Sequence, residues 1–318
     1  MKKVAILGAG TMGKGIAIDF STGGYDVNLF DSFEAARENA LPAIERDLGV
    51  MAEMGVFPEE KAKESLKNIT IYDNMIEAAK DADFVIEVVP EILELKQDIF
   101  AELDKNCKPD AIFASNTSSL KLGDMMAKLS DERKKRTLIC HYYNPAHLLP
   151  IVELSCYGNM PEDIFWQVYD MYEAIGKKPV KVDKDVPGMV ANRIQCAIYR
   201  EVYSLMENEV AAPDQIEKAM MYGMCFRYAT TGQREITDMG GIDVWSKVAD
   251  NIWPTLESRT TSCPYMTDRV AAGEYGFKSG KGFYSYESEE EKKEIIANFQ
   301  KRLMIQLVAS KKYVDHKK

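Results

Sequence analysis

The strongest constraint on the fold of this chain lies near its N-terminus, where an apolar run, a glycine-rich turn and a helical pattern follow one another. The run KVAIL, residues 3–7, predicts a strand, and the pattern over residues 12–22 predicts a helix. Between them, Gly8, Gly10 and Gly13 have the spacing G-x-G-x-x-G. After a strand, this spacing provides a tight turn, a close approach of the backbone to a ligand and close helix–strand packing. The segment therefore predicts that a pyrophosphate binds at the helix N-terminus.

An acidic residue follows the second predicted strand, DVNLF over residues 26–30. Asp31 stands at the position where a carboxylate accepts hydrogen bonds from the adenosine ribose hydroxyls. The stretch after it, SFEAAREN, places no arginine directly beside Asp31 to meet a 2′-phosphate. The pattern therefore predicts NAD rather than NADP as the cofactor. The residues predicted to bind it here are Gly8, Gly10, Thr11, Met12, Gly13 and Asp31.

Through the first half of the chain, short apolar runs alternate with helical patterns. The runs predict strands over residues 3–7, 26–30, 68–72, 83–89, 111–115, 137–141, 151–155 and 179–182. Strands that alternate with helices are typical of a parallel sheet with helices on both faces. The predicted fold class is therefore α/β, with a Rossmann-like, doubly wound and mostly parallel sheet.

Beyond residue 185 the strand signal ends, and helical patterns cover residues 189–210 and 213–223. A domain boundary at this point predicts an NAD-binding Rossmann-like domain over residues 1–185 and an all-helical domain over residues 186–318. Tyr, Met and Leu recur through the helical part. Their frequency is compatible with a packed core or with an interface between subunits, and the pattern leaves both interpretations open.

Charge and cysteine usage narrow the class of protein. The formal net charge of −10 argues against a nucleic-acid partner or a membrane surface. No apolar run reaches the roughly 18 residues that a membrane-spanning helix requires. The six cysteines are scattered without a CxxC pair, which is typical of reduced thiols in a cytoplasmic protein. We therefore predict a cytoplasmic protein without a metal site.

Two polar segments follow predicted inner strands, at the sheet edge where ligands bind in such folds. In EVVPEILELK, residues 87–96, Glu91 and Lys96 could lie at that edge, although the pattern alone favours an exposed ion pair on a helix. In FASNTSSL, residues 113–120, the polar cluster exceeds what one helix cap uses, which favours a crevice lining. Asn116 of this cluster is predicted to contact the cofactor.

The stretch HYYNPAHLLPIVE contains two of the three histidines of the chain. His141 ends one predicted strand, and Glu153 lies inside the next, flanked by apolar residues. A buried carboxylate requires a partner, because burying an unpaired charge is very costly. An imidazole oriented by a carboxylate can remove the proton of an alcohol near neutral pH. An exposed Glu153 and a purely structural His141 are equally compatible with the spacing.

Six landmarks in order carry a resemblance to a known family: GAGTMG, EVVPE…K, SNTSSL, HYYNP…P.VE, VPGMVANRI and GFKSGKGFYSY. Over nearly its whole length the chain resembles the L-3-hydroxyacyl-CoA dehydrogenases and their relatives. The resemblance implies a Rossmann-like N-terminal domain and a helical C-terminal domain used for dimerisation. It also implies an active site in the cleft between the two domains, and a homodimer that acts on a small molecule.

The resemblance also implies roles for individual residues. His141 would be the catalytic base, and Glu153 would orient its imidazole. Ser118 and Asn192 would hydrogen-bond the reacting oxygen. Glu91 and Lys96 would then lie beside the nicotinamide half of the cofactor, which reverses the interpretation of these two residues as an exposed ion pair.

The substrate is less constrained, because the chain departs from the family pattern in several places. It has HYYNP where the hydroxyacyl-CoA enzymes usually have HFFNP. The predicted helical pair over residues 46–67 lacks the lysine excess of the helices that meet CoA in the family. Arg227 and the segment PAHLLP are similar to the branch that includes the carnitine and gulonate dehydrogenases and lambda-crystallin. Arg227 could clamp a carboxylate bidentately, or it could be an ordinary surface arginine.

Three functions therefore remain. The breadth of the family slightly favours a dehydrogenase that interconverts the 3-hydroxyl and 3-keto forms of a 3-hydroxyacyl-CoA, as in fatty acid metabolism. The alternative substrate is a small free 3-hydroxy acid, held by Arg227. A non-catalytic NAD-binding structural protein, such as a lens crystallin, is the remote third, because the catalytic set is complete in this sequence.

Overall fold

The structure, a computed structural model, describes residues 1–313, which form two compact units. The first unit comprises Met1–Val190 together with Leu303–Val308. The second comprises Ala191–Arg302 and the described residues from Ala309 onward. The predicted boundary at residue 185, with a cofactor domain before it and a dimerisation or substrate domain after it, stays a prediction about the roles of the two parts.

The first unit is built on one sheet of eight strands. The strands are β1 Lys3–Leu7, β2 Asp26–Phe30, β3 Ile69–Tyr72, β4 Phe84–Glu87, β5 Ile112–Ser115, β6 Thr137–Tyr142, β7 Ile151–Ser155 and β8 Lys178–Lys181. Their order is β3-β2-β1-β4-β5-β6-β7-β8, and every neighbouring pair is parallel except β6 and β7. Each strand lies within two residues of its predicted bounds, and the predicted fold class is confirmed.

Helices cover both faces of this sheet. They are α1 Thr11–Thr22, α2 Glu34–Glu53, α3 Glu59–Lys67, α4 Met75–Ala79, α5 Leu93–Asn106, α6 Leu122–Met125, α7 Asp131–Lys134 and α8 Glu162–Ala174. Successive residues of a strand point to opposite faces of its sheet. Val4 of β1 lies in one apolar cluster with Phe20 of α1, whereas Ala5 lies in a second cluster with Phe100 of α5. The apolar strands therefore bury both faces, as expected of a doubly wound sheet.

The order of the strands decides where a ligand site forms. The chain runs outward from β1 through β2 to β3 on one side, and from β4 onward on the other side. The connections after β1 and β4 therefore diverge at the carboxyl edge of the sheet and leave a crevice there. The glycine turn follows β1, and the polar cluster after residue 115 follows β5 at the same edge. The fold thus brings two of the predicted site segments to one edge.

The second unit is helical. Its helices are α9 Ala191–Glu207, α10 Pro213–Ala219, α11 Phe226–Tyr228, α12 Gln233–Gly240, α13 Ile242–Ile252, α14 Pro264–Ala271 and α15 Glu289–Ser310. The helix predicted over residues 213–223 is α-helical only as far as Ala219, and a π-helical turn, Met220–Cys225, follows it. None of the helices in residues 1–313 is long and apolar enough to cross a membrane.

The last helix contributes to both units. Residues Leu303–Val308 of α15 belong to the first unit, whereas the remainder of the helix belongs to the second. Met304 is only 2% exposed and lies in the same apolar cluster as Phe20 and Tyr172. The core of the first unit is therefore completed by residues that follow the second unit in the chain.

Candidate active site

The glycine turn after β1 has three different constraints at its three glycines. Gly8 has φ +122°, and a Cβ there would lie 3.0 Å from the carbonyl oxygen of Val88. A Cβ at Gly13 would lie 1.8 Å from the carbonyl oxygen of Gly8, so α1 could not pack so closely on the turn. At Gly10 no described atom lies within 4 Å of the position that a Cβ would take, so this backbone faces open space. A ligand can therefore approach the main chain at Gly10.

The N-terminus of α1 is suited to an anion. Gly10 is its N-cap and has no side chain that could accept a hydrogen bond from the first N–H groups of the helix. Thr11 and Met12 open the helix, and its first turn carries no acidic residue. The first N–H groups of a helix have no partner inside the helix and lie at its positive end. These residues therefore fit the pyrophosphate of a dinucleotide.

Asp31 is fixed between the glycine turn and α2. Its Oδ2 accepts a hydrogen bond from the N–H of Ala9 at 2.7 Å, and its Oδ1 accepts one from the N–H of Phe33 at 2.9 Å. Each carboxylate oxygen can accept more than one hydrogen bond. The fixed carboxylate therefore keeps acceptor sites that suit ribose hydroxyls, next to the turn predicted to receive a pyrophosphate.

A buried lysine organises the edge after β4. The side chain of Lys96 is 1% exposed, and its Nζ donates to both carboxylate oxygens of Glu87 at 2.8 and 2.9 Å. The same Nζ lies 3.2 Å from Oε2 of Glu91 and 3.4 Å from the carbonyl oxygen of Val89. Burial raises the pKa of Glu87, and the charge of Lys96 opposes this rise. Protein acceptors therefore surround the ammonium group of Lys96.

Sequence reasoning missed Glu87. It is fully buried at the end of β4, and it also accepts a hydrogen bond from the hydroxyl of Ser115 on β5. The signal was present in the strand FVIE, which ends in a carboxylate after three apolar residues. The argument that a carboxylate in an apolar run requires a partner applies to Glu87 as it does to Glu153.

Glu91 holds the loop that carries Ser118. Its Oε1 accepts hydrogen bonds from the Thr117 hydroxyl, from the N–H groups of Ser118 and Ser119 at 3.3 Å each, and from the Ser119 hydroxyl at 2.9 Å. Partial burial raises the pKa of Glu91, but these hydrogen bonds and Lys96 outweigh it and hold the pKa below its usual value. Ser118 itself is exposed. Glu87, Lys96 and Glu91 thus form a chain of contacts that ends at this loop.

Asn116 joins two strand ends. Its Oδ1 accepts a hydrogen bond from the N–H of Tyr142 at 2.9 Å, and its own N–H donates to the carbonyl oxygen of Glu87 at 3.0 Å. The side-chain oxygen and the main-chain N–H of Asn116 therefore connect the ends of β4, β5 and β6. Its role toward the cofactor stays a prediction.

His141 and Glu153 lie directly opposite each other on the antiparallel pair β6 and β7. Nδ1 of His141 lies 2.9 Å from Oε2 of Glu153, and both side chains are buried. Oε1 of Glu153 accepts a hydrogen bond from the N–H of Val190 at 2.9 Å. A carboxylate beside Nδ1 favours the tautomer with the proton on Nδ1, which leaves Nε2 as a base. This arrangement can remove a proton from a hydroxyl group.

The other described histidine, His147, is also buried, but within residues 1–313 its Nε2 has no hydrogen-bond partner. It packs against α1, because a Cβ at Gly15 would lie 3.1 Å from His147 Nδ1 and 2.9 Å from the Cβ of Ala146. Burial lowers the pKa of His147 to about 4, so the imidazole is neutral at neutral pH. His147 therefore packs the β6–β7 connection against α1.

A buried ion pair ties the same connection to α1. Nζ of Lys177 lies 2.7 Å from Oδ2 of Asp19 and donates to the carbonyl oxygens of Ala146 at 2.6 Å and Leu149 at 3.1 Å. Burial raises the pKa of Asp19 to about 6, although Lys177 acts in the opposite direction. This pair fixes the segment between His141 and Glu153 against the helix that carries the glycine turn.

Two further predicted site residues belong to the second unit. Asn192 lies in the first turn of α9, and Arg227 is the middle residue of α11. Arg227 is exposed, and its carbonyl oxygen accepts hydrogen bonds from the N–H groups of Thr230 and Thr231. The roles of Asn192 and Arg227 stay predictions.

Comparison with protein families assigns both halves of the chain. The sequence model described as "3-hydroxyacyl-CoA dehydrogenase, NAD binding domain" matches residues 3–186. The model described as "3-hydroxyacyl-CoA dehydrogenase, C-terminal domain" matches residues 188–286. Together they cover well over half of the chain.

Curated relatives span nearly the whole chain. A 5-formyl-3-hydroxy-2-methylpyridine 4-carboxylate 5-dehydrogenase of Mesorhizobium japonicum is 30% identical, with 92% of this chain and 93% of that protein covered. A probable 3-hydroxybutyryl-CoA dehydrogenase of Bacillus subtilis is 32% identical, with 91% and 99% covered. An L-carnitine dehydrogenase of Oceanobacillus iheyensis is 34% identical, with 85% and 87% covered.

Among solved structures, a 5-formyl-3-hydroxy-2-methylpyridine 4-carboxylic acid 5-dehydrogenase, described as an NAD⁺ dependent dismutase, is similar throughout. It superposes with a TM-score of 0.90 at 29% identity, over 99% of this chain and 100% of that one. The likeness therefore extends over both units.

Proposed function

We propose a small free hydroxy acid as the substrate of this chain, which belongs to the 3-hydroxyacyl-CoA dehydrogenase family and is an NAD-dependent oxidoreductase acting on CH–OH. This proposal reverses the slight preference for a CoA ester, which rested only on the breadth of the family. The observation that carries it is the charge of the helical pair α2 and α3.

Residues 34–67, which contain α2 and α3, carry eight acidic and five basic side chains. Two of the basic side chains are already paired on the surface, Arg46 with Asp47 and Lys63 with Glu59. A CoA ester brings a diphosphate and a 3′-phosphate, and a surface with excess negative charge repels them. The corresponding helices of the family's CoA enzymes are lysine-rich, as the resemblance implies. The charge balance therefore favours a substrate without these phosphates.

Known relatives support the same class. Two of them are named for a pyridine carboxylate and for L-carnitine, and neither name contains CoA. The structure with a TM-score of 0.90 is also named for the pyridine carboxylic acid. A substrate of this size needs a group that binds its carboxylate, and Arg227 is the residue we propose for this role.

The reaction follows from the paired residues. When NAD is bound, it supplies the hydride acceptor. Nε2 of His141 takes the proton of the substrate hydroxyl, and Glu153 stabilises the resulting imidazolium. Ser118 and Asn192 donate hydrogen bonds to the reacting oxygen and polarise the carbonyl in the reverse direction. Glu91 positions the loop that carries Ser118.

Initial rates with NAD on a panel of free 3-hydroxy acids, pyridine carboxylates and 3-hydroxybutyryl-CoA test the substrate class. We expect kcat/KM to be at least tenfold higher for the best free acid than for the CoA ester. Arg227→Ala should raise KM for that acid at least tenfold, because the carboxylate loses its partner. Arg302→Ala, an exposed arginine of α15, is the matched control and should leave KM unchanged. A preference for the CoA ester that survives both substitutions would contradict the proposal.

A 3-hydroxyacyl-CoA is the second candidate, favoured by the 32% identity to the Bacillus subtilis relative. The same panel tests it, since high activity on 3-hydroxybutyryl-CoA would support it and would place the enzyme in fatty acid metabolism.

The complete set of His141, Glu153, Ser118 and Asn192 is not expected of a purely structural NAD-binding protein.

We also infer that the protein is a homodimer that associates through its second unit. Among the described residues, α9 and α13 contain no buried residue, although both are amphipathic. Tyr222, Phe226 and Trp253 are each more than 70% exposed. Large exposed apolar side chains that gather into a patch are uncommon on a monomer. Light scattering should give twice the chain mass, and Phe226→Ser should lower it; a monomeric wild-type protein would contradict the inference.

A cytoplasmic location is proposed from the cysteines. All six lie within the described residues and are free thiols. Reduced, scattered cysteines are typical of a reducing compartment.

A further inference from the structure

The segment that carries Asp31 also holds the side chain of an arginine, which the sequence pattern did not indicate. Arg37 lies in the first turns of α2, six positions after Asp31. Its side chain turns back, and Nη1 donates to the main-chain carbonyl oxygens of Asp31 at 2.9 Å and Ser32 at 3.0 Å. Arg37, a partly buried residue, therefore places its guanidinium on the same short segment as the carboxylate predicted to bind the ribose.

The two charged groups are fixed to this segment in different ways. The Asp31 carboxylate is held by the N–H groups of Ala9 and Phe33, so its position is set by the main chain. The two Arg37 hydrogen bonds both use Nη1, and the guanidinium has three further N–H donors, on Nε and Nη2. The carboxylate accepts from a ribose hydroxyl and repels a phosphate, whereas the guanidinium favours a phosphate.

We propose that Arg37 is a latent ligand for a 2′-phosphate, so that the choice of NAD over NADP depends on the single carboxylate of Asp31. This inference concerns the adenosine site alone and does not depend on which substrate the enzyme oxidises. With the charge of Asp31 removed, the guanidinium on this segment can pair with a 2′-phosphate through two parallel hydrogen bonds.

The acidic residues of α2 limit the size of the effect. Glu34 and Glu38 flank Arg37 in sequence and are exposed. Exposed charges are screened by salt within about 10 Å at 0.1 M ionic strength. The gain in phosphate affinity should therefore be largest at low salt, and Arg37 should still dominate because its guanidinium is already fixed beside Asp31.

Binding of two adenosine nucleotides without any substrate tests the proposal. Calorimetric titration of the full chain with ADP and with 2′,5′-ADP compares a 2′-hydroxyl with a 2′-phosphate. The wild-type protein should bind ADP more tightly. Asp31→Asn should bind 2′,5′-ADP at least tenfold more tightly than the wild type does, and the double variant with Arg37→Ala should lose at least fivefold of that gain. Arg46→Ala, an exposed arginine of the same helix, is the matched control and should change neither affinity.

Two results would overturn the proposal. One is that neither Asp31→Asn nor Asp31→Ser binds 2′,5′-ADP more tightly than the wild type, with thermal unfolding showing that at least one of them is folded. The other is a gain that persists in full without Arg37. Failure of the free-acid proposal would leave these affinities unchanged, because no substrate enters the measurement.

Discussion

His141 and His147 lie six positions apart, both buried, and their surroundings are opposite. His141 faces a buried carboxylate across an antiparallel strand pair, with 2.9 Å between Nδ1 and Oε2 of Glu153. His147 faces α1 at Gly15, and among the described residues its Nε2 has no partner. Burial therefore does not distinguish the proposed catalytic base, His141, from a histidine that only packs. The carboxylate on the opposite strand does, because it fixes the tautomer and stabilises the charged form.

Breaking the first pair should have the largest effect. Glu153→Gln keeps the shape of the side chain but removes the charge that stabilises the imidazolium of His141. We expect kcat to fall on the order of 10²- to 10⁴-fold, the range typical of general acid–base catalysis. Steady-state kinetics with the best substrate of the panel measures this, and titration with NAD should show unchanged cofactor affinity. A kcat within threefold of wild type in a folded variant would remove Glu153 from the mechanism.

The packing of the second histidine is tested by adding one methyl group to α1. The Cβ of Gly15→Ala would lie 2.9 Å from the Cβ of Ala146 and 3.1 Å from Nδ1 of His147. Overpacking of this kind should reduce the free energy of unfolding by about 1–3 kcal/mol in urea denaturation. Gly49→Ala in α2 is the matched control, because no described atom lies within 4 Å of its new Cβ. That variant should gain up to about 1 kcal/mol, and equal effects at both sites would contradict the packing role.

The smallest effect is the pH dependence of stability, in which His147 and Asp19 act in opposite directions. The pKa of His147 is lowered from 6.5 to about 4 by burial, with Asp47 raising it and Lys177 lowering it. The unfolded chain therefore binds this proton at higher pH, and acidification from pH 7 to 5 destabilises the fold. The pKa of Asp19 is raised from 3.8 to about 6, so the folded chain binds that proton first and acidification stabilises it.

Replacing either His147 or Asp19 should leave the pH dependence of stability that the other residue causes. Between pH 7 and 5 each shift contributes about 1–2 kcal/mol, so the wild type should change little from these two groups. His147→Gln should become more stable on acidification than the wild type does, and Asp19→Asn should become less stable. Urea denaturation of the three proteins at both pH values measures these changes. Identical pH responses in all three would show that neither group titrates in this window.

Much of the sheet could be predicted because its signals are local. Each strand of the first unit is a short apolar run beside a turn, and the observed bounds of KVAIL, DVNLF and IVELS are those predicted. The glycine turn after β1 is local in the same way. Long-range pairings left no such signal. Asp19 and Lys177 are distant in sequence, and the contact of Lys177 with the β6–β7 connection follows only from the packing of α1.

Parts of the site could be predicted where a charged residue lies inside an apolar strand and therefore requires a partner. A carboxylate inside an apolar strand pointed to a partner for Glu153, but only the register of β6 and β7 shows that His141 lies opposite it. The same argument predicts a partner for Glu87, and the structure shows that this partner is Lys96. Arg37 was out of reach, because its side chain returns to Asp31 from within a helix and the sequence does not specify that rotamer. Roles that involve the second unit, such as that of Asn192, rest on the family resemblance.

The placement of Met304 in the core of the first unit has a consequence for biosynthesis. The ribosome completes the first unit's sheet by residue 190, but it adds Leu303–Val308 only after the whole second unit. At about 5–20 residues per second, that interval is on the order of ten seconds. During this time the apolar surface that Met304 covers stays open and accessible to chaperones and proteases.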